Sequence, residues 1–313
     1  MRHAMVRIAA LVLVVVAGAM GSALAGAQDD LELGAKAADA GDYDRAIELL
    51  TRALAANELS GADQAAAHYK RGDAYAALGD YDQAIPDYDA MIGTVPGDAA
   101  AHIKRADAYQ TKGKYDLAIA DYEAAIRLDP GSDEAFSSRG DAYAAKGDYA
   151  RAIADYNAAV RLKPDDADAY LGRGAARFVL GQFGTAIADL RHSAELDPEN
   201  AYAVLWLYLA EARSGKADHV ELVRLTRSID RDEWPGPVVD LYLGDGTEQE
   251  VRDALDEDDA DQRCEMNFYL GEYGLTQNNK TVSVKLLQAA AATCPAALYE
   301  HQGALAELKR IGN

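Results

Sequence analysis

The strongest constraint on this chain is a period. Five strings of the form Y-x-x-A-I, with Phe once in place of Tyr, put Ala at 46, 84, 118, 152 and 186, at intervals of 38, 34, 34 and 34. The long interval contains NELSGAD (57–63), a polar stretch that reads as an inserted loop. A fixed period of this length describes a unit that stacks on copies of itself to bury a shared core. Gly72, Tyr75, Tyr81, Ala84, Tyr88 and Pro96 reappear two periods on as Gly140, Tyr143, Tyr149, Ala152, Tyr156 and Pro164. Small residues let antiparallel helices approach, Tyr rings fill the seam, and Pro stops the second helix.

These features resemble the tetratricopeptide repeat, a helix-turn-helix unit of 34 residues. The expected fold is all-α, a right-handed superhelical array of such hairpins with a degenerate helical C-terminal part. Its expected divisions are a leader (1–27), five repeats (28–200), an irregular helical segment (201–262), and a last repeat-like hairpin with a closing helix over the end of the stack (263–313).

The pentapeptide RGDAY stands at 71–75 and at 139–143. Its first three letters spell a cell-adhesion tripeptide, but the repeat frame gives the arginine another task. Each Arg at the seventh position of a unit is followed sixteen residues later by Asp: Arg71 and Asp87, Arg105 and Asp121, Arg139 and Asp155, Arg173 and Asp189. Three further units carry apolar residues at both places: Leu33 and Leu49, Leu207 and Val223, Leu270 and Leu286. All-ionic or all-apolar matching predicts contact inside each hairpin, because an ion pair left with one member is costly.

In a curved array, first-helix positions two, five, nine and twelve line the concave side. Position nine is Asp73, Asp107 and Asp141 in the central units, with Tyr69, Ile103, Gln110, Ser137, Leu171 and Phe178 around them. We expect these nine residues to form a protein-binding groove for a peptide bearing Lys or Arg. Capture of a C-terminal carboxylate would need Lys and Asn at positions five and nine, where this chain has Tyr, Ile or Ser, and Asp.

Residues 1–25 read as a secretory leader, with Arg2 and Arg7 ahead of the apolar run IAALVLVVVAGAM and cleavage expected after Ala25 or Ala27. Removing it leaves 29 basic and 52 acidic side chains, a net charge near −23. Such a surface repels nucleic acid and anionic membranes. Export also places Cys264 and Cys294, the only cysteines, in an oxidising compartment. They hold the first and thirty-first positions of the last unit, neighbours across a hairpin, which predicts a disulfide. His68 and His102 share the fourth position of a first helix, so the frame explains them as packing residues, and no metal or cofactor is expected. No G-x-S-x-G, H-E-x-x-H, phosphate-binding glycine loop or C-x-x-C is present, and no enzyme activity is expected.

The C-terminal third carries LWLYLAE (205–211), Trp234 followed by LYLG (241–244), NFYLG (267–271), and Glu300, His301, Ala304, Leu305, Glu307 and Leu308 in the closing helix. In order and spacing these resemble the NlpI-type periplasmic adaptor proteins. The resemblance implies a non-catalytic, homodimeric scaffold that brings a processing protease and peptidoglycan hydrolases together. Members of that family are anchored through a lipidated cysteine after Leu-Ala-Gly. This chain has LAGA, with Ala27 at that place, and a soluble periplasmic protein is expected. Other readings of a secreted helical array are assembly of a pilus, secretion or polysaccharide-export machine, or an unfamiliar hydrolase.

Overall fold

Glycine sets the turn of each hairpin. Gly79, Gly113, Gly147 and Gly181, one period apart, have φ of +78°, +68°, +79° and +74°, a left-handed conformation in which a Cβ would be strained. The next residue starts the second helix, and where it is Asp the side chain caps it: Asp80 accepts from the Gln83 amide and Asp148 from the Arg151 amide. The computed structural model describes residues 26–215, 219–256 and 258–312, and among them every regular element is a helix. The expected leader lies, through residue 25, outside the described residues.

The chain divides into two compact units, with the boundary between Pro130 and Gly131. The first holds three hairpins: α1 (26–39) with α2 (Tyr43–Ala55), α3 (Gly61–Ala77) with α4 (Tyr81–Thr94), and α5 (Ala99–Thr111) with α6 (Tyr115–Leu128). The second begins with two more, α7 (Asp133–Ala145) with α8 (Tyr149–Leu162) and α9 (Ala167–Val179) with α10 (Phe183–Leu196). It continues through α11 (Ala201–Ser214), α12 (His219–Leu225), α13 (Gly236–Leu243) and α14 (Glu248–Asp253). The hairpin α15 (Ala260–Thr276) with α16 (Lys280–Thr293) follows, and then α17 (Tyr299–Gly312).

Within a hairpin the two helices meet at glycine. A Cβ on Gly140 would stand 2.8 Å from Cε1 of Tyr156, and one on Gly72 would stand 2.9 Å from Cε1 of Tyr88. Tyr88 and Tyr156 are accordingly buried, with 1% and 0% of their surface exposed. The second unit has the larger core, built on Trp206, Phe178, Phe268 and Tyr269, with Trp206 stacked on Phe268 at 5.3 Å.

All four Arg–Asp pairs lie inside their hairpins. Nε and one terminal nitrogen of each Arg grip the two carboxylate oxygens of its Asp at 2.6–2.9 Å: Arg71 on Asp87, Arg105 on Asp121, Arg139 on Asp155, Arg173 on Asp189. This fork is the strongest geometry available to such a pair. The other terminal nitrogen reaches back to the preceding hairpin, from Arg71 to Thr51 Oγ1 at 3.0 Å, from Arg105 to Asp89 at 2.5 Å and from Arg173 to Asn157 at 2.8 Å. His68 and His102 lie at the hairpin seam and add a polar contact to their packing there. Each sets Nδ1 on the same carboxylate its unit's Arg grips, Asp87 at 2.7 Å and Asp121 at 3.2 Å.

The apolar version of the clasp holds in only one unit. Leu270 lies in the core with Leu286 packed against the same cluster. Leu33 and Val223 are 51% and 42% exposed, so neither makes a buried clasp with Leu49 or Leu207. In the first hairpin, the cross-helix ionic link joins Arg52 to Asp30 instead.

Cys264 and Cys294 are joined, with Cα atoms 5.0 Å apart, tying the start of α15 to the end of α16. The unfolded, unreduced protein should therefore show no titratable thiol. Reduction should lower stability by about 3.6 kcal/mol, from the chain entropy of a loop of about 30 residues. Two thiols in that assay would remove the bond from the fold.

Arg139→Leu leaves Asp155, 9% exposed at its side chain, without its fork. It should cost about 3–5 kcal/mol, while Arg139→Leu with Asp155→Leu should recover most of the loss in denaturant melts. Additive single effects would show that the clasp is not a unit.

Candidate protein-docking site

The nine expected groove residues do not share one environment. In the first unit, Asp73 and Asp107 line a cavity of about 410 Å³ together with Asp39, Lys70, Tyr81 and Lys104. Each aspartate is held by the tyrosine fifteen residues on: Tyr88 donates to Asp73 at 2.8 Å and Tyr122 to Asp107 at 2.6 Å. Burial raises the Asp73 carboxyl above its ordinary range, against the opposing pull of the Tyr88 hydroxyl and of Lys104 and Lys70.

Tyr69 packs edge-on to Tyr88, with ring centres 6.3 Å apart, Ile103 is buried, and Gln110 Oε1 accepts from Tyr122 at 3.3 Å. Tyr69 and Gln110 thus touch the tyrosines that hold the two aspartates, and none of the three is part of the cavity wall. The wall is also less acidic than expected. Lys70 pairs with Asp39 at 2.7 Å, and Lys104 stands beside Asp73. Both lysines occupy the sixth position of a first helix, one residue from the clasp arginine. Their recurrence at Lys70 and Lys104 was visible in the sequence.

In the second unit the corresponding surface is filled by the chain's own α17, which corrects the expectation that this helix simply closes the end of the stack. Tyr299 donates to Asp141 at 3.2 Å beside the 2.6 Å bond from Tyr156. Gln302 donates to the carbonyl of Ala145 at 3.3 Å and accepts from the Tyr149 hydroxyl. Arg310 donates to the carbonyls of Phe178 and Val179 at 2.6 and 2.8 Å and stacks over the Phe178 and Phe183 rings. Leu171 and Phe178, 7% and 0% exposed, are therefore core residues and not an open groove. Ser137 is half-buried on the same helix as Asp141. Burial pushes the Asp141 carboxyl up to about 6, with the two tyrosine hydroxyls opposing it.

Buried carboxylates that the repeat frame did not single out hold the rest of the second unit's core, two of them, Glu300 and Glu307, on the other side of α17. Glu300, 3% exposed, accepts from Trp206 Nε1 at 3.2 Å and Tyr269 at 2.6 Å. Glu265, 6% exposed, accepts from Trp234 Nε1 at 2.8 Å and Tyr202 at 2.9 Å. Glu307 accepts from Arg213 at 3.3 Å. Among the described residues no three His, Cys, Asp or Glu side chains are grouped to hold a metal ion, and no helix is long and apolar enough to cross a membrane.

Tetratricopeptide repeat family models match residues 31–99, 103–167 and 140–205, more than half of the chain. The chain is a tetratricopeptide repeat protein. Its array is similar to a tetratricopeptide repeat protein from Parabacteroides merdae, 16% identical over 92% of this chain and 99% of that one, with a TM-score of 0.59. It is also similar to the C-terminal part of a TPR repeat-containing protein from Cytophaga hutchinsonii, 18% identical over 87% of this chain and 98% of that one, with a TM-score of 0.53. At these identities the likeness is one of fold.

Burial, followed by the charge of Glu300, pushes Glu265 up from 4.5 to about 7. A carboxyl whose pKa is higher in the folded state binds its proton more tightly there, so folding is favoured below 4.5 and the advantage is lost as pH rises through about 7. Stability should fall across that window, on the order of 3 kcal/mol from this group. Glu265→Gln should flatten the decline in melts from pH 4.5 to 7.5. An unchanged slope would show that Glu265 stays ionised in the fold.

Proposed function

We propose that this protein is a non-catalytic scaffold of the bacterial periplasm that brings a processing protease and peptidoglycan hydrolases together. The observation that carries the reading is the open, mixed-charge cavity on the first unit of a tetratricopeptide repeat array, lined by Asp73, Asp107, Lys70 and Lys104. Separate repeats can hold separate partners, and co-binding raises each partner's concentration near the other to about the millimolar range. The choice of clients rests on the resemblance of LWLYLAE, LYLG, NFYLG and the 300–308 residues to the NlpI-type adaptors, which also implies a homodimer.

Export follows from the leader, and release from the membrane from Ala27 at the place of a lipidated cysteine. Ala27 is 3% exposed and packs with Leu31, Ala46 and Leu50, so cleavage after Ala25 keeps a core residue that cleavage after Ala27 discards.

Osmotic shock should release the protein with the periplasmic fraction. The tagged mature chain should capture a protease and at least one peptidoglycan hydrolase from envelope extract, identified by mass spectrometry. Capture of neither sinks the adaptor reading, and capture of pilus, secretion or export components replaces it. Recovery with the membrane and an acyl mass defeats the soluble assignment.

A further inference from the structure

The two RGDAY copies belong to a longer match. Residues 71–81, RGDAYAALGDY, and residues 139–149, RGDAYAAKGDY, differ only at Leu78 against Lys146. In the second unit this segment is a helix-docking surface. Asp141 accepts from Tyr299, the Ala145 carbonyl accepts from Gln302, and Tyr149 donates to Gln302, so a tyrosine and a glutamine three apart on α17 meet three points of it. In the first unit the equivalents Asp73, Ala77 and Tyr81 all line the 410 Å³ cavity. Ala77 is exposed where Ala145 is half-buried, and Tyr75 is half-buried where Tyr143 is buried.

We propose that the Asp73–Tyr81 surface binds an α-helix of a partner protein in the pose of α17, recognising a Tyr-x-x-Gln pair and an acidic side chain on the same helix face. The tyrosine hydroxyl donates to Asp73, and the glutamine amide spans the Ala77 carbonyl and the Tyr81 hydroxyl. The acidic requirement comes from two lysines at the first surface, which also differs from the second at Asp107 against Ala175 and at Leu78 against Lys146. Lys70 and Lys104 stand at the first, where the positions one period beyond Lys104 and two beyond it hold Ser138 and Gly172.

That difference also selects a partner protein over a second copy of this chain. The carboxylates of α17 at Glu300 and Glu307 are engaged by Trp206, Tyr269 and Arg213 on its other side. Releasing α17 for exchange would also uncover Gly303, which sits against Phe268 and Trp206.

The inference rests on the scaffold reading only for the existence of a partner. The probe is a fluorescein-labelled peptide of residues 297–312, titrated by anisotropy against the full mature chain, with photo-cross-linking to locate it. Saturable one-to-one binding is expected, with cross-links on α3 and α5. Ala77→Arg, a change at an exposed position, should weaken it at least tenfold, and Tyr299→Phe in the peptide about fivefold. A peptide with Ala297→Glu, beside the tyrosine that meets Asp73 and Lys104, should bind severalfold tighter, and Lys104→Ala should abolish that gain.

Absence of binding, cross-links on α7 and α9, or indifference to Ala77→Arg would each overturn the docking mode. Tighter binding of the native peptide than of the Ala297→Glu one would overturn the charge requirement. Either failure alongside intact capture of envelope proteins leaves the scaffold reading standing.

Discussion

Everything positioned in these hairpins depends on the approach of two helices across a glycine. Because Gly72 and Gly140 have no Cβ, the rings of Tyr88 and Tyr156 can lie against the first-helix backbone. That contact fixes the register for two polar interactions beside it. The arginine preceding the glycine meets the aspartate preceding the tyrosine, and the aspartate following the glycine receives the tyrosine hydroxyl. One packing contact thus sets a buried ionic clasp on one side and a half-buried acceptor on the other.

The same register explains why RGD is not a displayed tripeptide here. Arg71 and Arg139 point their forks at Asp87 and Asp155, Gly72 and Gly140 are buried under rings, and Asp73 and Asp141 accept from those rings' hydroxyls. Only the aspartate keeps capacity for a further donor, since a carboxylate offers more acceptor sites than one hydroxyl uses. Tyr299 uses that capacity at Asp141.

A repeat array reuses one surface, and this chain treats two copies of it differently. In the second unit α17 buries Glu300 and seats Tyr299 and Gln302, turning a concave face into core. In the first unit the surface stays accessible and gains Lys70 and Lys104. Modular stacking permits this, because each repeat is stabilised mainly by its neighbours and does not need an occupied groove.

The period by itself determined the helical hairpins, their turns and the four clasps, because these are contacts between residues at fixed short separations that recur in register. It determined the cysteine pair for the same reason: both lie in one hairpin. It overreached at Leu33 and Val223, where matching letters met different surroundings and the side chains face solvent. Which groove stays open was decided only in three dimensions. The contacts of Tyr299 with Asp141 and of Arg310 with Phe178 join residues 158 and 132 positions apart, and no local pattern encodes them. Closing so long a chain segment is favoured only by the buried surface and hydrogen bonds that the assembled unit supplies.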